Sequence, residues 1–181
     1  MKSRQKSARI VVTERTLLYS RRRFLHNFMQ NLIKGNNIMK RNIRNNHSSV
    51  LRDYGPNPLT VNINKLSALN QNYRLALWTG NYLQVTLMSI KPGGDIGLEI
   101  HPETDQFIRI EKGTALVVMG DNKNNMKYRQ RINSEYAIMI PAGTWHNIIN
   151  TGRQELKLYS VYAPPHHPFG TVHTTKEDAK E

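Results

Sequence analysis

Four polar side chains in two short stretches of the sequence are the best candidates for chemistry. In the first stretch, Glu99 and His101 stand two residues apart, and Gln106 follows five residues after His101. In the second stretch, His146 stands at the start of a predicted strand, shortly after the turn-like segment at residues 141–143. Imidazole, carboxylate and amide groups are ligands for divalent transition metals. Side chains of these types could bind a divalent metal such as Zn²⁺, Mn²⁺, Fe²⁺, Co²⁺ or Ni²⁺, and their chemistry leaves the choice among these metals open.

Composition narrows the possible ligands. The chain contains no cysteine, which excludes thiolate metal sites, disulfides and cysteine nucleophiles. Its 181 residues are enough for one domain with an ordinary hydrophobic core.

Short strands separated by turns must position these side chains. From residue 59 onward, β-branched and aromatic runs alternate with Gly, Pro, Asn and Asp, which is typical of a sandwich or barrel. Strands are predicted at 59–63, 73–78, 82–90, 96–101, 105–111, 114–119, 126–132, 135–140, 145–150 and 155–163, with one short helix at 64–72. Because side chains alternate along a strand, Glu99 and His101 are expected on one face.

The spacing of these residues resembles the two motifs of the cupin superfamily. The positions of the first motif are Gly94, His101, Gln106 and Gly113. Those of the second motif are Pro141, Gly143, His146 and Asn150. The resemblance spans about residues 58–165 and is to small single-domain bacterial cupins of the cupin 2 type. It implies an all-β fold, a double-stranded β-helix or jelly-roll barrel.

The resemblance also assigns the ligands. Glu99 stands where the first motif usually has its first histidine, and His101 stands at the second. Gln106 replaces the usual glutamate, and His146 matches the last ligand. The resemblance therefore implies that these four residues hold one metal inside the barrel. Glu135 occupies the position where the second motif usually opens with glycine.

Most of the positive charge lies at the N-terminus. The formal net charge is +13, of which residues 1–38 carry +8. The remainder is only mildly basic, so no nucleic-acid partner is predicted. No apolar run is long enough for a membrane span, and no secretory signal is apparent. These features predict a cytoplasmic protein without a membrane partner.

The first 38 residues have two interpretations. Phe24, Phe28 and Leu32 form an apolar stripe beside three arginines, which is typical of a transit peptide or a membrane-surface helix. Alternatively, residues 34–39 read as a translated ribosome-binding site, which would make Met39 the true start. Under the second interpretation, residues 1–38 are an extension that is disordered or untranslated, and 39–57 lead into the barrel.

A third histidine group follows the barrel. His166, His167 and His173 lie close together in the C-terminal segment, 166–181. Flanking prolines make this stretch extended. It is expected to fold along the barrel or over its mouth and not to form a second metal site.

The expected function is a metal-dependent enzyme for a sugar or organic acid. The ligand types resemble those of cupin-type mannose-6-phosphate isomerases, which implies an isomerase-like reaction in which a metal polarises a carbonyl. An iron-dependent dioxygenase and a binding barrel without catalysis are the alternatives. Since open sheet edges need covering, a homodimer is also predicted.

Overall fold

The computed structural model describes Gln30 and residues 51–179. The predictions about an N-terminal helix and about Met39 as the start concern residues outside this part. Within it, no helix is long and apolar enough to cross a membrane.

Nine strands and two short helices make up residues 51–179. The helices are α1 (Ile63–Leu69) and a 3₁₀ helix (Glu177–Ala179). The strands are β1 (Arg74–Thr79), β2 (Gln84–Ile90), β3 (Asp105–Lys112), β4 (Ala115–Gly120), β5 (Tyr128–Ile132), β6 (Ala137–Ile140), β7 (Trp145–Asn150), β8 (Leu156–Ala163) and β9 (Val172–His173).

The strands form two antiparallel sheets. One has six strands in the order β6-β3-β8-β2-β1-β9, and the other has three in the order β5-β4-β7. Side chains from both sheets, including Met88, Ile108, Val117 and Ile148, share one buried core. The predicted all-β fold, a double-stranded β-helix or jelly roll, is thus confirmed.

The predicted short helix is confirmed, although it ends earlier. The side chain of Asn62 accepts a hydrogen bond from the Lys65 amide, at 2.9 Å, and so caps the first turn of α1. Leu66 packs with Leu75, Leu77 and Leu87 in a second apolar cluster. The helix ends at Leu69 because Asn70 takes an extended backbone.

Two strand predictions were wrong. Residues 59–63 form no strand: Leu59 and Val61 are exposed, and the cap at Asn62 starts the helix at Ile63. Residues 96–101 are not a regular strand either. Gly97 takes a left-handed φ of 89°. The backbone pairing of this segment with β7 is reduced to isolated bridges, such as the one between Glu99 and His146. The short strand β9 was not predicted.

Two motif residues outside the ligand set have structural roles. The side-chain amide of Asn150 donates to the carbonyls of Ile90 and Gln154 at 2.9 and 2.8 Å, which ties β7 to the end of β2 and to the loop before β8. Gly113 has φ 101° and lies so close to Leu156 that an added Cβ would stand 3.2 Å from its Cα. The left-handed backbone therefore favours glycine there, and an added Cβ would also crowd Leu156.

Glu135 is the one non-glycine residue of the described chain with a left-handed backbone, φ 73°. It is exposed and stands where the resembled motif has glycine. Left-handed backbone costs a residue with a Cβ about 1–2 kcal/mol, which the greater chain entropy of unfolded glycine partly offsets. We expect Glu135→Gly to raise the free energy of unfolding by about 0.5–1 kcal/mol.

Urea denaturation of the parent and Glu135→Gly proteins measures this gain. Glu103→Gly is a matched control because Glu103 is also exposed but has no left-handed backbone. The control should lose stability. A Glu135→Gly protein that is no more stable than the parent would contradict the strain argument.

Candidate metal centre

Three of the four predicted ligands meet at one point. Oε1 of Glu99 lies 3.3 Å from Nε2 of His101 and 3.3 Å from Nε2 of His146. One ligand atom from each of the three residues falls within 4.8 Å of the others. Glu99 and His101 come from the irregular segment before β3, whereas His146 is the second residue of β7. Residues 45 or more positions apart in sequence therefore share one site.

Backbone hydrogen bonds hold the two sequence stretches together. The amide of Glu99 donates to the carbonyl of His146 at 3.0 Å, and the amide of His146 donates back at 2.9 Å. The amide of Gly143 donates to the carbonyl of His101 at 2.9 Å. The turn before β7 thus fixes His101, and the bridge fixes the other two ligands.

The ring of His146 is oriented for metal binding. Its Nδ1 atom lies 2.9 Å from the carbonyl oxygen of Thr144, so the tautomer protonated at Nδ1 donates to that oxygen. Nε2 then keeps its lone pair and faces Glu99. A ligating histidine commonly donates its other ring nitrogen to a carbonyl in this way.

The unpartnered atoms fit a bound cation. Oε1 of Glu99 and Nε2 of both histidines are buried and make no hydrogen bond of good geometry with described residues. Leaving such polar atoms buried is costly unless something else satisfies them. Two ligand atoms each about 2.1 Å from a tetrahedral metal lie about 3.4 Å apart, close to the observed spacing. The three residues therefore fit a divalent transition metal.

The electrostatics keep Glu99 ionised. Burial raises the pKa of its carboxyl, but the imidazoles of His101 and His146 outweigh this effect and lower the pKa to about 2. The Arg74 guanidinium lies 3.9 Å from Oε2 of the same carboxylate. An anionic ligand is thus available throughout the neutral pH range.

Gln106 lies on β3 beside this group. Its Cα pairs with that of Tyr162 on β8, and the ring of Tyr162 lies 5.7 Å from that of His101. Nε2 of Gln106 makes a long hydrogen bond of 3.4 Å to Ser160, while Oε1 is buried and unpartnered within the described residues. Ligation by this oxygen stays a prediction.

The C-terminal segment brings two further histidines to the site. The ring of His166 lies 4.1 Å from that of His101, and His167 packs on Tyr162 at 5.1 Å. Gln84 holds the segment in place because its side chain both donates to the carbonyl of His167 and accepts from its amide, at 2.8 and 2.9 Å. The sequence suggested a segment along the barrel or over its mouth but did not predict contact with a ligand.

A cavity of about 830 Å³ opens beside the ligands. The side chains that line it include Tyr73, Arg74, Ile96, Leu98, Glu99, His101, Trp145, His166, His167 and Lys176. Sequence reasoning missed Arg74, although a lone cation within the apolar run of residues 73–77 is a usable signal. The site can therefore hold a metal and a small molecule side by side.

Comparisons with known proteins agree with this architecture. A model of the cupin domain matches residues 86–162. The uncharacterized protein YrkC of Bacillus subtilis is 58% identical over 130 residues, covering 72% of this chain and 70% of YrkC. The uncharacterized protein L612 of Acanthamoeba polyphaga mimivirus is 45% identical over 113 residues, covering 62% of this chain and 69% of L612.

A solved structure shows the same similarity. The crystal structure of BH2720 from Bacillus halodurans superposes with a TM-score of 0.71 and 57% sequence identity. The match covers 71% of this chain and 98% of that one. It therefore includes nearly the whole of the BH2720 structure.

Proposed function

The chain belongs to the cupin family, and from this premise we propose that it is a metal-dependent enzyme for a small polar molecule. Glu99, His101 and His146 hold the divalent transition metal, with Gln106 as the fourth ligand. The supporting observation is the cluster of buried, unpartnered ligand atoms next to a cavity of about 830 Å³. A homodimeric, cytoplasmic protein is part of the same proposal.

The residues around the cavity have distinct roles. When bound, the metal would polarise a carbonyl or hydroxyl oxygen or, if it is Fe²⁺, react with dioxygen. Ile96 and Leu98 supply the apolar part of the cavity wall. Burial and then the nearby charge of Arg74 lower the pKa of His167 to about 3, so this imidazole is a weak base. His166, on the same wall, is the better candidate for moving a proton.

The reaction we propose is isomerase-like. A metal-polarised carbonyl beside an imidazole is the arrangement that moves a proton between adjacent carbons of a sugar or hydroxy acid. Conversion of mannose 6-phosphate to its ketose isomer, followed by NMR with the protein reconstituted separately with Zn²⁺, Mn²⁺, Fe²⁺, Co²⁺ and Ni²⁺, tests the sugar form of this reaction. Failure with every metal, in samples whose metal content is verified, would discard the isomerase and leave the metal site standing.

One observation favours a second reaction. The three clustered ligands are two histidines and one carboxylate, the set that non-haem iron oxygenases use. Oxygen uptake by the Fe²⁺-loaded protein with organic acids, and none by the Zn²⁺-loaded protein, would select this candidate. If neither assay shows turnover while small molecules bind, the protein is a binding barrel.

A further inference from the structure

Arg74 is a buried cation in the wall of the cavity. It is the first residue of β1 and lies outside the residues that the cupin-domain model matches, 86–162. Only 4% of its surface is exposed, and it lines the cavity together with Glu99 and His101. Neither cupin motif accounts for a cation at this position.

One donor of the Arg74 guanidinium has no partner among the described residues. An arginine has five N–H donors, yet Nε of Arg74 is buried with no partner in the described part of the chain. The nearest acid is Glu99, at 3.9 Å, which is well beyond the ~2.8 Å of a charge-assisted hydrogen bond. Glu99 is also the carboxylate that the two histidines approach more closely. Charge compensation of Glu99 therefore does not by itself explain why Arg74 is buried at this position.

The other cation of the cavity already has an acid. Lys176 forms an ion pair with Asp95, so Arg74 is the better-placed cation for an incoming anion. A bound divalent metal would add further positive charge next to it. A planar guanidinium matches a carboxylate with two parallel hydrogen bonds. Phosphate sites usually add several backbone donors at a helix N-terminus. Among the described helices, only the 3₁₀ helix (Glu177–Ala179) lines this cavity, and its three residues are too few to supply such a site.

We propose that the ligand of this cavity is a small organic acid whose carboxylate is bound by Arg74 beside the metal. This inference rests on the proposed metal enzyme and names its substrate class. It assigns to Arg74 the role of a specificity-determining residue. Sugars without an acidic group are then poor ligands.

Isothermal titration of the Zn²⁺-loaded protein with succinate tests the inference, with neutral succinamide as the matched compound. The parent is expected to bind succinate at least about tenfold more tightly than succinamide. Arg74→Gln should weaken succinate binding about tenfold or more, and Arg74→Lys, which keeps the charge but not the planar fork, should weaken it less. Arg109→Gln is the control because Arg109 is a half-buried arginine on β3 that does not line the cavity, so the affinity of this variant for succinate should match the parent's.

The metal content of each sample separates the two hypotheses. If metal-loaded Arg74→Gln binds succinate as tightly as the parent, the inference is overturned while the metal site stands. If the parent takes up no metal, the proposed function fails, and titrating the same metal-free proteins still decides the role of Arg74. If the variants do not fold, equal binding of succinate and succinamide by the parent overturns the inference. Phosphate binding as tight as succinate binding overturns the carboxylate assignment.

Discussion

Replacing both His101 and His146 with alanine is expected to lower the bound transition metal from about one equivalent per chain to below about a tenth. The two imidazoles supply two of the three clustered ligand atoms. Glu99 and the uncharged amide of Gln106 are left, and a carboxylate with one amide does not hold such a metal against water and buffer. Elemental analysis of protein purified without chelator or metal-affinity resin measures the change.

Two controls make the result specific. The double variant must show the parent's circular dichroism, since an unfolded chain would lose metal for an unrelated reason. A His26→Ala/His47→Ala protein also loses two histidines, both outside the described residues, and should keep the parent's metal content. Equal metal in the folded His101→Ala/His146→Ala protein would place the metal elsewhere and remove the basis of the proposed function.

Local spacing was sufficient to predict that Glu99 and His101 share one side, whereas their meeting with His146 was predicted from the resemblance to the cupin motifs. Glu99 and His101 stand two residues apart, so any extended backbone brings them to one side. The turn before His146 is marked by proline and glycine, whose conformational limits are visible in sequence. The β-branched and aromatic runs between turn residues likewise predicted eight of the nine strands of the sheets.

The remaining features depend on contacts that no local pattern encodes. Arg74 meets Glu99 only because β1 and the segment before β3 line the same cavity. His166 reaches His101 because Gln84, over 80 residues earlier, binds the backbone of His167. The strand expected at 96–101 fails because the left-handed backbone of Gly97 interrupts the ladder, which a period-two pattern does not reveal.

In the metal-free protein, Glu99→Ala is expected to lower the free energy of unfolding by about 3 kcal/mol. The change removes the nearest acid to the buried Arg74 guanidinium and leaves that charge in the wall without compensation. Breaking a buried pair typically costs about 3–5 kcal/mol, and the 3.9 Å separation and partly exposed carboxylate place this pair at the low end. Urea denaturation in the presence of chelator measures the loss.

A second substitution separates lost charge compensation from lost packing. Arg74→Met in the Glu99→Ala background replaces the guanidinium with an apolar chain, so most of the lost stability should return. Glu103→Ala, which removes an exposed acid, should change stability by less than about 0.5 kcal/mol. If the double variant is no more stable than Glu99→Ala, the lost stability comes from packing. The Arg74 guanidinium is then not an uncompensated charge in the cavity wall. Succinate added to the metal-free Glu99→Ala protein should also restore stability, because an organic acid would then supply the carboxylate that Arg74 has lost.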